Sequence, residues 1–319
     1  MMKAAIVRQF GATPVYGDFE APMAAAGEVR VTVTASALSQ LTRGRASGSH
    51  YSSSGGLPFV AGVDGVGRLD DGRRVYFVLP RAPFGGMGEQ TVVPTVHCIP
   101  VPDEVDDLTA AAIPNPGMSS WAALTERARI VAGETVLING ATGTSGRLAV
   151  QIARHLGAKR VIATGRNTTV LAELATLGAD MTIALSDDPS VNESAFREAF
   201  AGRVDVVLDY LWGPSAERLL VSAAKSGAEG APIRFVNIGT MSGPDITLPG
   251  AVLRASALLL MGSGLGSVPF DRLLNAIAAL LAAIVPAGLR IETRSVPLSD
   301  VEQTWTAPGT AARTVFRIG

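Results

Sequence analysis

The sequence predicts an α/β chain in two parts: a β-rich part and a doubly wound parallel sheet. Three observations predict it. A glycine-rich turn joins a short apolar strand to a helix over 134–157, strands and helices alternate regularly after that turn, and before about residue 115 short alternating strands recur between Gly, Pro, Ser and Asp turns.

The turn is the most informative stretch. Thr135 to Ile138 form a short apolar run with β-branched residues, as in a buried strand. Gly140, Gly143 and Gly146 follow at a spacing of three, and Leu148, Ile152 and Leu156 then recur every four residues, marking one face of a helix that stops near Gly157. Strand, glycine turn and helix in this order open a dinucleotide-binding βαβ unit, the Rossmann arrangement. The glycines let the backbone turn sharply and approach a pyrophosphate, whose charge meets the free N–H groups and positive end of the helix. Thr142, Gly143, Thr144, Ser145 and Gly146 are therefore candidate cofactor contacts. A second strand over 160–166 ends in Gly165-Arg166-Asn167-Thr168. An NAD site usually has Asp or Glu about twenty residues past the glycines, on the ribose 2′-hydroxyl. A guanidinium there grips a 2′-phosphate that a carboxylate would repel. The reading is NADP(H), with Gly165, Arg166 and Asn167 among its contacts.

Composition bounds the rest. A chain of 319 residues accommodates two domains, and 47% hydrophobic against 17% charged residues describes a globular protein. A net charge of −1 without a dense Lys/Arg cluster argues against nucleic acid or an anionic membrane as partner. The first residues read as a strand whose charges are too closely spaced for a signal peptide, and the most apolar segment, 273–285, is too short to span a bilayer, so a cytoplasmic location is expected. The single cysteine, Cys98, excludes an intramolecular disulfide and a thiolate-rich zinc site. Of the three histidines, His50, His97 and His155, His97 adjoins Cys98, and neighbours in a strand point to opposite faces. No metal site is expected.

In chain order, strands are expected at 3–8, 28–35, 62–69, 73–78 and 89–94, making a barrel-like sheet. The Ser/Gly-rich run 46–56, with Ser49, His50 and Tyr51, reads as a mobile loop. A helix from Ala110 is expected to cross Pro114-Asn115-Pro116 into 117–124 unless the prolines break it. Further strands follow at 181–184, 204–210, 233–239 and 257–261, with helices near 170–177, 191–200 and 216–226. The end of the chain reads as a helix at 271–284, a strand at 290–296, a helix begun by the Ser299-Asp300-Val301-Glu302 capping pattern, and a strand at 314–318.

This order of halves resembles the medium-chain dehydrogenase/reductase superfamily, and within it the zinc-free quinone oxidoreductase-like branch. The resemblance rests on Gly62-Val-Asp-Gly-Val-Gly67, Gly117-Met-Ser-Ser-Trp-Ala-Ala-Leu124, the 140–146 loop, Val204-Asp-Val-Val-Leu-Asp209, Val236-Asn-Ile-Gly239 and Pro297-Leu-Ser-Asp-Val301. It implies a GroES-like catalytic domain from 1–115 and 267–319, a Rossmann NADP(H)-binding domain over 116–266, and an active site in the cleft. Zinc alcohol dehydrogenases carry His-Glu where this chain has Val63-Asp64, together with a cysteine-rich lobe that is missing here. By resemblance, Ser119 lies near the nicotinamide ribose, Ile238, Gly239, Thr240, Gly262, Ser263 and Gly264 line the nicotinamide end, and Arg313, the basic residue before the last strand, joins the cofactor set. Relatives are often dimers, so a homodimer is expected.

The branch implies NADPH-dependent, metal-free hydride transfer to a small quinone or α,β-unsaturated carbonyl. One segment departs from it: where the branch commonly reads Asn-Pro-x-Asp-x-x-x-Arg-x-Gly, this chain has Ser39, Gln40, Thr42 and Ala46, keeping Gly48. Hydride addition builds negative charge on the conjugated oxygen, which needs a hydrogen-bond donor or proton. Tyr51 and Ser39 are the candidate catalytic residues. Two alternatives stand beside this reading: a non-catalytic NADPH-binding sensor or assembly protein on the same fold, and an adenosyl-methionine site, which the returning C-terminal strands and Arg166 disfavour.

Overall fold

The structure, a computed structural model, describes residues 1–49, 56–307 and 312–319. It divides into one unit of Met1–Asn115 with Ile277–Gly319 and another of Pro116–Ala276.

The chain opens with β1 (Met2–Val7), β2 (Val15–Phe19) and β3 (Glu28–Ala37), then α1 (Gln40–Ser47). This helix was not expected from the sequence; it shares only Ala46 and Ser47 with the expected loop at 46–56, of which 50–55 lie outside the described residues. Its residues lack an apolar period, and its ends hold it instead. The Ser39 hydroxyl caps the first turn, and Gly48, at a positive φ of 75°, returns its N–H to Arg45 and Gly44. His50 and Tyr51 lie outside the described residues. Then come β4 (Phe59–Val60), β5 (Asp64–Leu69), β6 (Arg74–Val78), β7 (Gln90–Pro94) and β8 (Cys98–Pro100). The helix expected from Ala110 is two: α2 (Asp107–Ala112), capped by Asp106, and α3 (Pro114–Ala122), which continues into a π-helical turn over Ala123–Ala128. Pro114 is accommodated because it begins the second helix, where the missing N–H has no intrahelical partner to lose.

The alternating part follows: β9 (Thr135–Asn139), α4 (Thr144–His155), β10 (Arg160–Gly165), α5 (Thr168–Leu174), β11 (Met181–Ala184), α6 (Pro189–Ala201), β12 (Val206–Asp209), α7 (Gly213–Ser226), β13 (Ile233–Asn237), α8 (Gly250–Arg254) and β14 (Leu258–Gly262). The last elements are α9 (Phe270–Ala283), β15 (Thr293–Pro297), α10 (Val301–Thr306) and β16 (Arg313–Arg317). The capping bond expected at 299–302 is not made. Asp300 gives no side-chain cap, and Glu302 is drawn to β2, where its Oε1 accepts from Tyr16 N at 3.2 Å.

The six strands of the second unit are all parallel, in the order β11-β10-β9-β12-β13-β14. The chain winds outward from β9 to β11, then restarts on the other side of β9 at β12. This makes the β9/β12 junction the topological switch point, and the carboxyl ends of the strands there the expected binding face. Helices cover a core of Leu137, Ile162, Phe196, Phe200, Val207, Leu219 and Phe235. Each large side chain buried there contributes about 1.5–3 kcal/mol. On α4, Leu148 and Ile152 are buried and His155 is exposed, as the four-residue spacing predicts.

The first unit has a sheet ordered β15-β16-β3-β5-β6-β8, with β7 also on β3, and a smaller sheet β2-β1-β4. All its pairings are antiparallel except β15 with β16. Val31, Val33, Phe77, Val93, Trp305 and Phe316 are among its core. The final strands complete the sheet that β3 begins, which is why the two ends of the chain belong to one unit.

Candidate functional site: a glycine loop at the switch point

Every strand of the parallel sheet ends at the same edge, and the glycine loop leaves β9 at its centre. Gly140 turns with φ 90°, and a Cβ on it would meet Leu211 Cδ2 at 2.9 Å. Gly146 packs so closely that a Cβ would come to 2.5 Å from Gly140 O. Gly143 differs: the nearest atom to its Cβ would be Gly140 O at 4.0 Å, so the space in front of the loop is open.

Gly143 is also the N-cap of α4 and brings no side-chain bond, whereas Asn167 and Asp188 cap α5 and α6 with their own oxygens. The first-turn N–H groups of a helix have no intrahelical acceptor. At Thr144, Ser145 and Gly146 no side-chain cap takes that place, and the positive end of a twelve-residue helix stands behind them. The donor set fits a bound diphosphate.

Across the loop, Thr142 lies against Gly165, leaving no room for a side chain at the end of β10. Arg166 follows, exposed, with no hydrogen-bond or ion-pair partner among the described residues. Asn167 is partly engaged, its Oδ1 accepting from Val170 N at 3.1 Å. Ile238, Gly239 and Thr240 leave β13, and Gly262, Ser263 and Gly264 leave β14, on the same edge. Ser263 N donates to Asn237 O at 2.8 Å, while Gly264 N is taken by Ser267 Oγ at 2.8 Å. Ser119 Oγ donates to Pro116 O at 2.7 Å and lies 3.4 Å from Tyr210 Oη. Burial pushes the Tyr210 phenol up to about 12, against the opposing pull of Ser119 and Ser120, so it is a neutral hydroxyl at physiological pH.

Two candidates belong to the other unit. Ser39 is 3% exposed, and its Oγ accepts from Thr42 N at 3.0 Å and pairs with Thr42 Oγ1 at 2.9 Å. The replaced residues of the 39–48 segment thus bond to each other. Arg313 is half-buried, with Nε and Nη2 out of solvent and without hydrogen-bond partners among the described residues. Its charge acts on Asp64 and Tyr76, both in the first unit. Asp64 Oδ2 accepts from Tyr76 Oη at 2.7 Å.

Residue-by-residue reading missed the polar side chains beneath the loop: Asn139, Thr164 and Asp209, each 0% exposed. A signal was present, since each is a polar residue at or beside the end of an otherwise apolar buried strand.

Doubly wound order, open glycine loop and uncapped helix together define a nucleotide-binding α/β protein carrying a second, mostly antiparallel unit. The comparisons agree. The family of zinc-binding dehydrogenases matches over residues 146–282. A protein of Emericella nidulans named probable NADPH-dependent quinone reductase tdiC is 29% identical over 95% of this chain and 96% of its own length. The 2-haloacrylate reductase of a Burkholderia species is 29% identical over 78% of this chain and 81% of that one. A crystal structure of the quinone oxidoreductase from Thermus thermophilus, which was also solved with NADPH, superposes with a TM-score of 0.80 at 26% identity, covering 99% of this chain and 100% of that one. In sequence and fold the chain is similar to the quinone oxidoreductase-like branch of the medium-chain dehydrogenase/reductase superfamily.

The family description names zinc. Among the described residues no three His, Cys, Asp or Glu side chains gather where they could hold a metal ion. Val63 offers no ligand, Asp64 is committed to Tyr76, and burial pushes the Cys98 thiol up to about 11.

Proposed function

We propose that this chain is a zinc-independent oxidoreductase that uses NADPH to reduce a quinone or an α,β-unsaturated carbonyl. The observation that supports it most is the uncapped start of α4 behind the open Gly143, with the unpartnered Arg166 at the end of the neighbouring strand. The amides of 144–146 hold the diphosphate, and Arg166 takes the 2′-phosphate with charge-assisted bonds. Bound there, NADPH supplies the hydride. Ser119, beside the neutral Tyr210 hydroxyl, orients the nicotinamide ribose. An activated C=C or quinone acceptor builds charge on its oxygen, for which a hydrogen-bond donor suffices without a metal. Tyr51 and Ser39 are the donors proposed, and Ser39 can serve only while keeping its cap to Thr42.

The names of the Emericella, Burkholderia and Thermus proteins support this acceptor class. A homodimer belongs to the same reading: β14 is an edge strand on which Leu259 and Leu260 are 51% and 40% exposed. So does a cytoplasmic location; among the described residues no helix is long and apolar enough to cross a membrane. The test is loss of nicotinamide absorbance with a panel of quinones, enals and enoates, using NADPH and NADH. Oxidation of NADPH by at least one acceptor is expected. Tight NADPH binding without turnover on any of them would favour the sensor reading, to which the closed Ser39–Thr42 pair also lends support.

A further inference from the structure

We propose that Asp209 is a positioning residue, whose carboxylate ties the turn leaving β12 to the glycine loop leaving β9 and so sets the nucleotide-binding amides before the nucleotide arrives. The inference rests on the NADP(H) reading of that loop.

Asp209 ends β12 at the switch point and is 0% exposed. Its Oδ1 accepts from Asn139 Nδ2 at 2.8 Å, the last residue of β9. The two carboxylate oxygens also accept from Leu211 N at 3.1 Å and from Trp212 N at 3.1 and 3.2 Å. Trp212 needs that support, because its φ of 56° is strained for a residue with a side chain. Held so, the turn presents Leu211 to Gly140, where a Cβ would have stood, and Tyr210 to Ser119.

Asn139 carries the same tie toward the loop. Its Oδ1 accepts from Thr164 Oγ1 at 2.7 Å and from Ser215 Oγ at 3.1 Å, and Thr164 Oγ1 in turn accepts from Gly140 N at 3.3 Å. On the other side, the backbone oxygen of Asp209 accepts from Ile238 N at 2.7 Å and Gly239 N at 3.2 Å. One residue thus links three segments assigned to the nucleotide: the glycine loop, the Tyr210–Ser119 pair and the 238–240 turn. Buried networks of this kind rigidify when every member is satisfied, and amides already in place lower the ordering cost of binding.

Donors and acceptors dictate the test. In Asp209→Asn, the oxygen kept toward Asn139 still accepts from Leu211 N, and the new NH2 faces the N–H of Trp212. Exchanging the pair, with Asn139→Asp added, restores an amide-to-carboxylate bond running the other way, leaves the amide oxygen for Trp212, and still accepts from Thr164 and Ser215. Thr164→Val removes only the hydroxyl beneath Gly140 and is close in shape.

Affinity for NADPH is measured by calorimetry, and amide hydrogen exchange on the nucleotide-free proteins. For Asp209→Asn, an affinity loss of about 10–30-fold is expected, with faster exchange confined to 140–146 and 210–212 while β10 and β11 stay protected. The exchanged pair should recover to within about threefold of the parent, and Thr164→Val should lose about 3–10-fold. Parent-like affinity in Asp209→Asn overturns the proposal, as does exchange accelerated evenly over the sheet or failure of the exchanged pair to recover. If Asp209→Asn does not fold, Thr164→Val with unchanged affinity and unchanged exchange at Gly140 overturns it. Failure of the parent protein to bind NADPH would instead remove the underlying reading.

Discussion

Each unit of the chain buries a carboxylate beside a strand end, and the two are held in opposite ways. Asp209, in the parallel sheet, receives a side-chain amide and two backbone N–H groups. Asp64, 2% exposed in the first unit, receives the Tyr76 hydroxyl on one oxygen, while its other oxygen has no protein partner. Burial is the largest influence on both and pushes both carboxyls up from their ordinary value. Asp209 answers that cost with bonds to the main chain of a binding loop. Asp64 answers with the Tyr76 phenol, the charge of Arg313, which burial itself weakens, and the side chain of Asn115. The difference teaches that the parallel-sheet unit uses this buried carboxylate to fix backbone beside an open loop, whereas Asp64 in the first unit keeps one oxygen unmatched.

Four measurements sharpen or break that contrast. Gly143→Val has the largest expected effect. The position is open, so folding should be preserved, with a melting temperature within about 2 °C of the parent, but a branched side chain in the diphosphate's path should weaken NADPH binding by about a thousandfold, or ~4 kcal/mol. Normal affinity would show that the open space serves something else. Next is the chemistry of Cys98, the chain's one cysteine, in the first unit. Its native value of about 11 against an ordinary 9.0 gives a native thiolate fraction at pH 8 about a hundredfold below that of the denatured chain, so labelling with a thiol reagent should slow about as much. The sign is fixed by linkage: the native state holds this proton more tightly, so the contribution to stability falls as pH rises from 9 through about 11.

Arg166→Ala comes third, raising the dissociation constant for NADPH about 10–50-fold while leaving NADH within about threefold, as titration with each nucleotide would reveal. Equal losses would remove the 2′-phosphate argument. The fourth measurement separates the two carboxylates themselves. Asp209→Asn should cost about 2–3 kcal/mol of stability in denaturant unfolding, and Asp64→Asn less than about 1 kcal/mol, because the second removes a buried charge that lacks a full set of donors. Equal costs would abolish the distinction drawn here.

Much of this was legible in the residues. The fold class followed from local signals: an apolar strand, a glycine turn and a helical period at 135–157, then repeated strand–helix alternation, each written in contiguous sequence. Elements fixed by their ends were harder. The helix α1 has no apolar stripe and depends on Ser39 and Gly48, so the Ser/Gly-rich stretch concealed it. The short strands β2, β4 and β8 exist only because partners lie beside them, β1 for the first two and β6 for the third. At the site, the 140–146 loop and Arg166 could be named from spacing and charge. Ser39 could be named as a hydroxyl, but nothing nearby in the chain told that its oxygen would be taken by Thr42.

The sequence by itself determined the order of strands and helices, the position of the glycine turn and the sign of charge after β10. These depend on backbone freedom, periodicity and residue type, which act over a few residues at a time. Tertiary structure alone decided that the last strand, β16, would lie against β3, that Asn139 and Asp209 would meet across the switch point, and that the charge of Arg313 would act on Asp64. Those pairings join residues far apart in the chain, and their energy comes from burial and hydrogen-bond satisfaction, which exist only once the sheets have formed.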